Sequence, residues 1–125
     1  MRSLMKANSK PLAPERWHVD AGDAASTTLT IPADAIRERR FEIACAMTVT
    51  VPTRAAISTP GWQQLTVQAN GAQQWRRREP AHSPWDGLDY RFARSVPVGQ
   101  ALRITVSVAG LGVQRRSLVV EADEV

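Results

Sequence analysis

One stretch, residues 40–53 (RFEIACAMTVTVPT), limits the folds open to this chain more than any other. Large apolar side chains occupy every second position: Phe41, Ile43, Cys45, Met47, Val49 and Val51. Because side chains in a β-strand alternate between its two faces, this pattern predicts a long strand with one face in a core. The other face is small, hydroxylic or acidic, which is typical of a thinly covered or wet surface. A helix would instead spread these apolar residues around its whole circumference.

Shorter segments on both sides repeat the alternation. We predict further strands at 16–20, 26–32, 61–69, 72–79, 88–96, 101–108 and 113–122. Residues 34–39 could form one helical turn, and residues 54–60 are ambiguous between a short strand and a loop. The pattern predicts an all-β fold, a two-sheet antiparallel β-sandwich of jelly-roll-like type, with seven to nine strands and at most one short helical turn. A closed barrel is the alternative.

The length of 125 residues suits one domain with a substantial core. We predict a flexible N-terminal arm at residues 1–14, which Pro11 and Pro14 hold extended, and a single β-sandwich domain at residues 15–125. No apolar run reaches the roughly 20 residues that span a bilayer, so no membrane span is predicted. The N-terminus has no continuous apolar segment of the kind found in signal peptides, so the compartment stays open, with the cytoplasm as the default.

The formal net charge of +4 is compatible with an acidic protein surface, anionic lipid or nucleic acid as a partner. Arginine supplies most of the positive charge, in runs at 37–40, 76–78 and 115–116. Acidic residues interrupt any continuous basic stripe, which is the usual composition of a solvated surface. The net charge is therefore compatible with binding to nucleic acid but does not by itself predict it.

Residues that could carry catalysis are few. Cys45 is the only cysteine, and its place on the apolar face of the long strand predicts a buried structural thiol. His18 and His82 are the only histidines, and neither stands at a metal-ligand spacing from another ligand. No nucleophile motif and no glycine-rich phosphate loop is present. The sequence therefore predicts a protein that is not an enzyme and that carries no metal and no cofactor.

The best signal for binding is a cluster of aromatic residues and arginines between residues 62 and 92. Indole rings and guanidinium groups are the usual means of stacking on sugars and gripping carboxylates or phosphates. We predict ligand-binding residues at Trp62, Arg76, Arg78, His82 and Trp85. The sequence Asn70-Gly71 predicts a tight hairpin, because a type I′ turn requires positive φ at both positions. Such a hairpin would place Trp75 and Arg77 on one face, with Arg76 and Arg78 on the other.

The segment from Leu65 to Val108 resembles one known family. It runs from the strand that ends in Asn70-Gly71, through an Arg/Trp strand, to Tyr90-Arg91-Phe92, a glycine turn at Gly99 and a final apolar strand. This order is similar to the core of galactose-binding-like jelly-roll domains. The resemblance implies a non-catalytic module that binds carbohydrate or serves a structural role within a larger protein. The chain has no recognisable calcium site, and no sugar-contact residue of the family is carried over.

The sequence thus predicts a non-catalytic β-sandwich binding or accessory module, with carbohydrate as a candidate ligand. The alternative is a structural assembly protein, such as a component of a phage or secretion particle, that acts through protein–protein contacts. Candidate partners are a glycan, an acidic protein surface, or further copies of the chain that pair through sheet edges into a homo-oligomer.

Overall fold

The computed structural model describes residues 13–52 and 61–125. Within these ranges it contains eight strands and no helix, which confirms the all-β prediction. The strands are β1 (Arg16–Asp20), β2 (Ser26–Ile31), β3 (Arg39–Thr50), β4 (Trp62–Ala69), β5 (Ala72–Pro80), β6 (Trp85–Val96), β7 (Leu102–Leu111) and β8 (Gln114–Glu124). Each predicted strand is present, with ends that shift by at most three residues. The predicted arm, apart from its last two residues, and the ambiguous segment 54–60 lie outside the described residues.

The strands form two four-stranded antiparallel sheets. Sheet A has the order β1-β8-β3-β6, and sheet B has the order β2-β7-β4-β5. The pairs β1·β8, β2·β7, β3·β6 and β4·β5 are nested along the chain, as in one long antiparallel ribbon. Folding this ribbon over brings β3 beside β8 and β4 beside β7. This connectivity is a jelly roll, so the predicted sandwich is confirmed over the closed barrel.

Strand β3 lies between two partners in sheet A and supplies the centre of the core. The apolar residues that alternate along it and just beyond it are all buried: Phe41, Ile43, Cys45, Met47, Val49 and Val51. Facing strands of sheet B contribute Leu65, Val67, Ile104 and Val106. Burial removes Cys45 from solvent and raises the pKa of its thiol to about 12. The predicted burial of this thiol is confirmed.

The hairpin between β4 and β5 is tight, as predicted. Asn70 has a φ of 49° and Gly71 a φ of 84°, which are the positive values that a type I′ turn requires. The Oδ1 atom of Asn70 accepts a hydrogen bond from the backbone N–H of Arg103 at 2.8 Å. This bond ties the hairpin to β7, so the register of β5 is fixed relative to the whole of sheet B.

The helical turn considered for residues 34–39 does not form. Asp34 Oδ1 instead accepts hydrogen bonds from the backbone N–H groups of Ile36 at 2.8 Å and Arg37 at 3.0 Å, and such local bonds compete with helix formation. The Arg37 side chain binds Glu124 at the end of β8 and also Glu15, at 2.9 Å. These ion pairs hold the β2–β3 loop against one end of sheet A, where β1 begins and β8 ends.

Three aromatic rings close one side of the sandwich, between the edge strands β5 and β6. Trp75 stacks on Tyr90 with ring centroids 4.7 Å apart, and Tyr90 stacks on Phe92 at 5.4 Å. All three rings are partly buried and pack against the core. The structure places them at the margin of the core, because β5 and β6 belong to different sheets and do not pair.

Candidate functional site

The outer face of sheet B carries cations and uncharged polar groups. Since β4 buries Leu65 and Val67, the residues between them point outward, and the strand registers identify their neighbours on the same face. This face consists of Ser26, Thr28, Thr30, Trp62, Gln64, Thr66, Gln68, Gln73, Arg76, Arg78, Pro80, Arg103, Thr105, Ser107, Ala109 and Leu111. No strand residue described on it is acidic. We call it the arginine face.

Trp62, Gln64 and Arg78 form the best-defined group of the arginine face. In the register of β4 and β5, Gln64 lies opposite Arg78, and Trp62 is the next outward residue along β4. The guanidinium carbon of Arg78 lies 3.7 Å from the centroid of the Trp62 ring. Its Nε donates a hydrogen bond to Gln64 Oε1 at 3.0 Å. The guanidinium is therefore held over the indole by a cation–π contact and a hydrogen bond, with its two terminal NH₂ groups left as donors.

Arg76 extends this group along β5. It lies opposite Thr66 and is exposed on the same face as Arg78. Residues two apart on a strand are separated by about 6.6 Å, so the two guanidinium groups form a short row along the sheet. Arg103, on β7, adds a third exposed cation on the far side of β4.

One end of the arginine face is apolar. Trp62 lies between Leu111 of β7 and Pro80 of β5 in a single cross-strand row. Leu111 is 54% exposed, and a shallow open depression of about 290 Å³ is lined by Trp62, Arg78 and Pro80 together with Gly61 and Glu79. An apolar platform therefore adjoins the guanidinium of Arg78.

Of the five residues predicted to bind a ligand, Trp62, Arg76 and Arg78 share the arginine face, and Trp85 does not. Trp85 begins β6 and pairs with Thr50 of β3. This register places it on the outer face of sheet A, where it is 62% exposed. The reason is that residues 81–84 carry the chain from sheet B across to sheet A.

His82 lies in that crossing loop, between the two sheets. Its Nδ1 is 3.0 Å from Asp86 Oδ2, and its backbone N–H donates to the same oxygen at 2.9 Å. Although burial alone would raise it, the pKa of Asp86 is lowered by hydrogen bonds from the backbones of His82 and Gly87 and from the His82 side chain. The contact of His82 with Asp86 shapes the loop, and the imidazole is exposed at its surface.

The outer face of sheet A, which we call the mixed face, differs in its charges. Its acidic residues are Asp20, Glu42, Asp89, Glu121 and Asp123, and its arginines are Arg16, Arg40, Arg91 and Arg116, the last of which donates to Thr50 Oγ1. Arg16 pairs with Asp123 at 3.0 Å. In the described ranges, no three His, Cys, Asp or Glu side chains are grouped so that they could hold a metal ion.

Sequence reasoning did not single out Gln64 and Arg103, two further residues of the arginine face that contribute to the candidate site. Alternation in the predicted strands already placed both on polar faces. Alternation does not show which strands are neighbours in a sheet. Strand β4 lies between β5 and β7, and its pairing with β7 is a non-local contact.

Comparison with family models and with curated proteins finds no match for this sequence. Among solved structures, the chain is similar to the crystal structure of dimeric latent PorU from Porphyromonas gingivalis, with 14% sequence identity and a TM-score of 0.47. The similarity covers 93% of this chain and 13% of the PorU chain. The described residues include no helix that is long and apolar enough to cross a membrane.

Proposed function

We propose that this chain is a non-catalytic binding module that holds an acidic glycan on the arginine face. The observation that carries the proposal is the geometry of Arg78, which lies 3.7 Å over the Trp62 ring and bonds to Gln64. A guanidinium held in this way has lost much of its rotational freedom before a ligand arrives, so less entropy is lost on binding.

Charge supports an anionic ligand. Arg76, Arg78 and Arg103 are exposed, and the described strand residues of the arginine face include no carboxylate to neutralise them. The fork of a guanidinium matches the two oxygens of a carboxylate or sulfate, and such charge-assisted hydrogen bonds are stronger than neutral ones. On the mixed face, by contrast, acidic side chains stand among the arginines.

The uncharged residues of the arginine face support a glycan. Thr66, Gln68, Thr105 and Ser107 offer hydroxyl and amide groups that exchange hydrogen bonds with sugar hydroxyls. The apolar platform around Trp62 suits the C–H face of a sugar ring. Single-stranded nucleic acid is less well matched, because it stacks successive bases on several aromatic rings, and Trp62 is the one aromatic residue among the strand residues described on the arginine face. The resemblance to galactose-binding-like jelly rolls implies the same class of ligand.

The test is the affinity of the wild-type protein for four immobilised polymers: polygalacturonate, heparin, neutral dextran and a single-stranded oligonucleotide. We expect binding to an acidic polysaccharide that weakens with salt, since exposed charges are screened beyond about 8 Å at physiological ionic strength. The variant Arg76→Ala/Arg78→Ala should bind at least about tenfold more weakly.

The matched control for this test is Arg16→Ala, which removes an exposed arginine from the mixed face. It should leave the affinity unchanged. Equal binding by wild type and the double variant would contradict the proposed site. A preference for the oligonucleotide over both acidic polysaccharides would contradict the proposed ligand.

A second candidate function, structural assembly through protein–protein contacts, is favoured by one observation. Strand β6 is an edge strand that is paired along its full length on one side, by β3. Such an edge offers a row of backbone groups to another strand.

A further inference from the structure

The edge of sheet A that β6 forms is long and regular. Each residue of β6 from Trp85 to Val96 has a partner on β3, without a bulge. Among the described strands, none pairs with its other side. The opposite edge of the same sheet, β1, has only five residues. Strand β6 is therefore the edge of sheet A best able to accept another strand.

The charged residues of β6 are arranged antisymmetrically about Tyr90. Asp86 and Asp89 lie four residues and one residue before it, and Arg91 and Arg94 lie one residue and four residues after it. In an antiparallel pair of identical strands related by a twofold axis at Tyr90, each aspartate faces an arginine of the other copy. Asp89 then lies opposite Arg91 of the partner subunit on the outer face, and Asp86 lies opposite Arg94 of the partner subunit on the inner face.

Neighbouring registers lack this complementarity. A twofold axis at Asp89 would place two carboxylates directly opposite each other, and an axis at Arg91 would do the same with two guanidinium groups. Like charges directly opposite each other on adjacent strands are destabilising, whereas opposite charges stabilise the pair. The charges of β6 therefore select the register that is centred on Tyr90.

The inner side of β6 adds apolar contacts in the same register. Leu88 would lie opposite Phe92 of the partner subunit, and the two Tyr90 rings would meet at the axis. Tyr90 and Phe92 are partly buried at the open side of the sandwich, in the stack that begins with Trp75. A second β6 strand would cover the exposed part of this stack. The nearby inward charges of β5 are already paired within the chain, since Arg77 and Glu79 are 2.6 Å apart.

We propose that two copies of this chain associate through antiparallel pairing of their β6 strands about Tyr90, so that the two A sheets join into one continuous sheet. This is an isologous interface with closed twofold symmetry, so assembly stops at the dimer. It uses the edge of sheet A and is independent of the proposed ligand on the arginine face. Charged residues on edge strands often prevent pairing with another sheet. In β6, however, the aspartates precede Tyr90 and the arginines follow it, so each charge would face an opposite charge on the second copy.

The experiment is sedimentation equilibrium of the full chain at concentrations up to about 100 µM, a range that detects dimers of micromolar affinity. We expect a species with twice the 13.7 kDa mass of one chain. Because the proposed interface has twofold symmetry, each substitution changes two charge pairs. Asp89→Arg places Arg against Arg91 of the partner subunit, and Arg91→Asp places Asp against Asp89 of the partner subunit. Each should weaken the dimer by at least about tenfold.

The charge-swapped variant Asp89→Arg/Arg91→Asp restores opposite charges in both pairs and should return the dimerisation constant to within about threefold of wild type. His18→Arg, which adds charge at the exposed opposite edge of sheet A, is the matched control and should change nothing. Melting temperatures confirm that each variant is folded. A monomeric wild type would overturn the proposal. So would a dimer that tolerates both single reversals, or a double variant as weak as the singles.

Discussion

Sheets A and B bury the same kind of apolar residue on their inner faces, yet their outer faces carry different charges. The strand residues described on the mixed face of sheet A include five carboxylates and four arginines, whereas those described on the arginine face include three arginines and no carboxylate. Packing fixes the inner faces, because a buried position tolerates few side chains. The outer faces are not fixed in this way, so their difference is informative about function.

Arg78 also differs from Arg16 and Arg37 in the partners that hold it. On the mixed face, Arg16 pairs with Asp123 at 3.0 Å, and at the adjoining end of sheet A Arg37 is bound by Glu15 and Glu124. On the arginine face, Arg78 is supported by an indole and an amide, neither of which neutralises its charge. An arginine that is positioned but not neutralised is suited to an anionic ligand.

The largest expected effect on stability comes from placing a charged side chain at an inner, buried position. Val49→Asp should prevent folding, because Val49 is fully buried and an unpaired carboxylate there costs several kcal/mol, typically about 3–5. The control is Thr50→Asp, one residue along β3 and on the mixed face beside Arg116, whose Nε donates to Thr50 Oγ1. Circular dichroism should show a folded control and an unfolded Val49 variant. A folded Val49→Asp protein with an unchanged melting temperature would contradict the assigned faces.

A smaller effect is expected at the hairpin that sets the register of β5. Gly71→Val should destabilise the fold by about 1–2 kcal/mol, because Gly71 has a φ of 84° and a β-branched residue resists the left-handed region. Among the described residues, no atom lies within 4 Å of a Cβ added at this position, so backbone strain is the cause. Urea denaturation measures the loss. Gly71→Asn is the control, since asparagine tolerates positive φ, and an equal loss in both variants would rule out the strain explanation.

Acid should weaken the end of sheet A where the ion pairs lie. The side chain of Arg37, with the backbone N–H of Glu15, lowers the pKa of Glu124 below its ordinary value of 4.5. Backbone hydrogen bonds from Ile36 and Arg37 likewise lower the pKa of Asp34 below 3.8. A lowered folded-state pKa gives stability that is present above the ordinary value and lost as the pH falls through the folded value. The melting temperature should therefore decrease when the pH is lowered below about 4.5. The decrease with pH should be less steep in Arg37→Ala than in the wild-type protein.

The smallest expected effect on stability is at Arg78. Its contact with Trp62 is exposed, and cation–π contacts of this kind contribute about 0.5–1 kcal/mol. Arg78→Ala should therefore lower the free energy of unfolding by no more than this amount while weakening binding to an acidic polysaccharide. Arg78→Lys keeps the charge and loses the fork, so it should be intermediate in binding. A large loss of stability in Arg78→Ala would indicate a structural role for this residue.

Alternation along single strands predicted most of the fold. It identified the buried residues of β3, the outward direction of Arg76 and Arg78, and the turn at Asn70-Gly71, because each depends on neighbours in sequence. It did not predict which strands share a sheet. For this reason Trp85 was grouped with arginines that lie on the other sheet. It also missed the ion pairs at the end of sheet A, since Arg37 and Glu124 are 87 residues apart in the sequence.

The most direct test of the central claim compares the two tryptophans on opposite faces. Trp62 lies on the arginine face, and Trp85 lies on the mixed face. In a ¹H–¹⁵N NMR titration with oligogalacturonate, the four tryptophans give separate indole N–H signals. We predict that the Trp62 signal shifts with added ligand and that the Trp85 signal does not. A shift at Trp85 without one at Trp62, or no shift at either, would contradict the assignment of ligand binding to the arginine face.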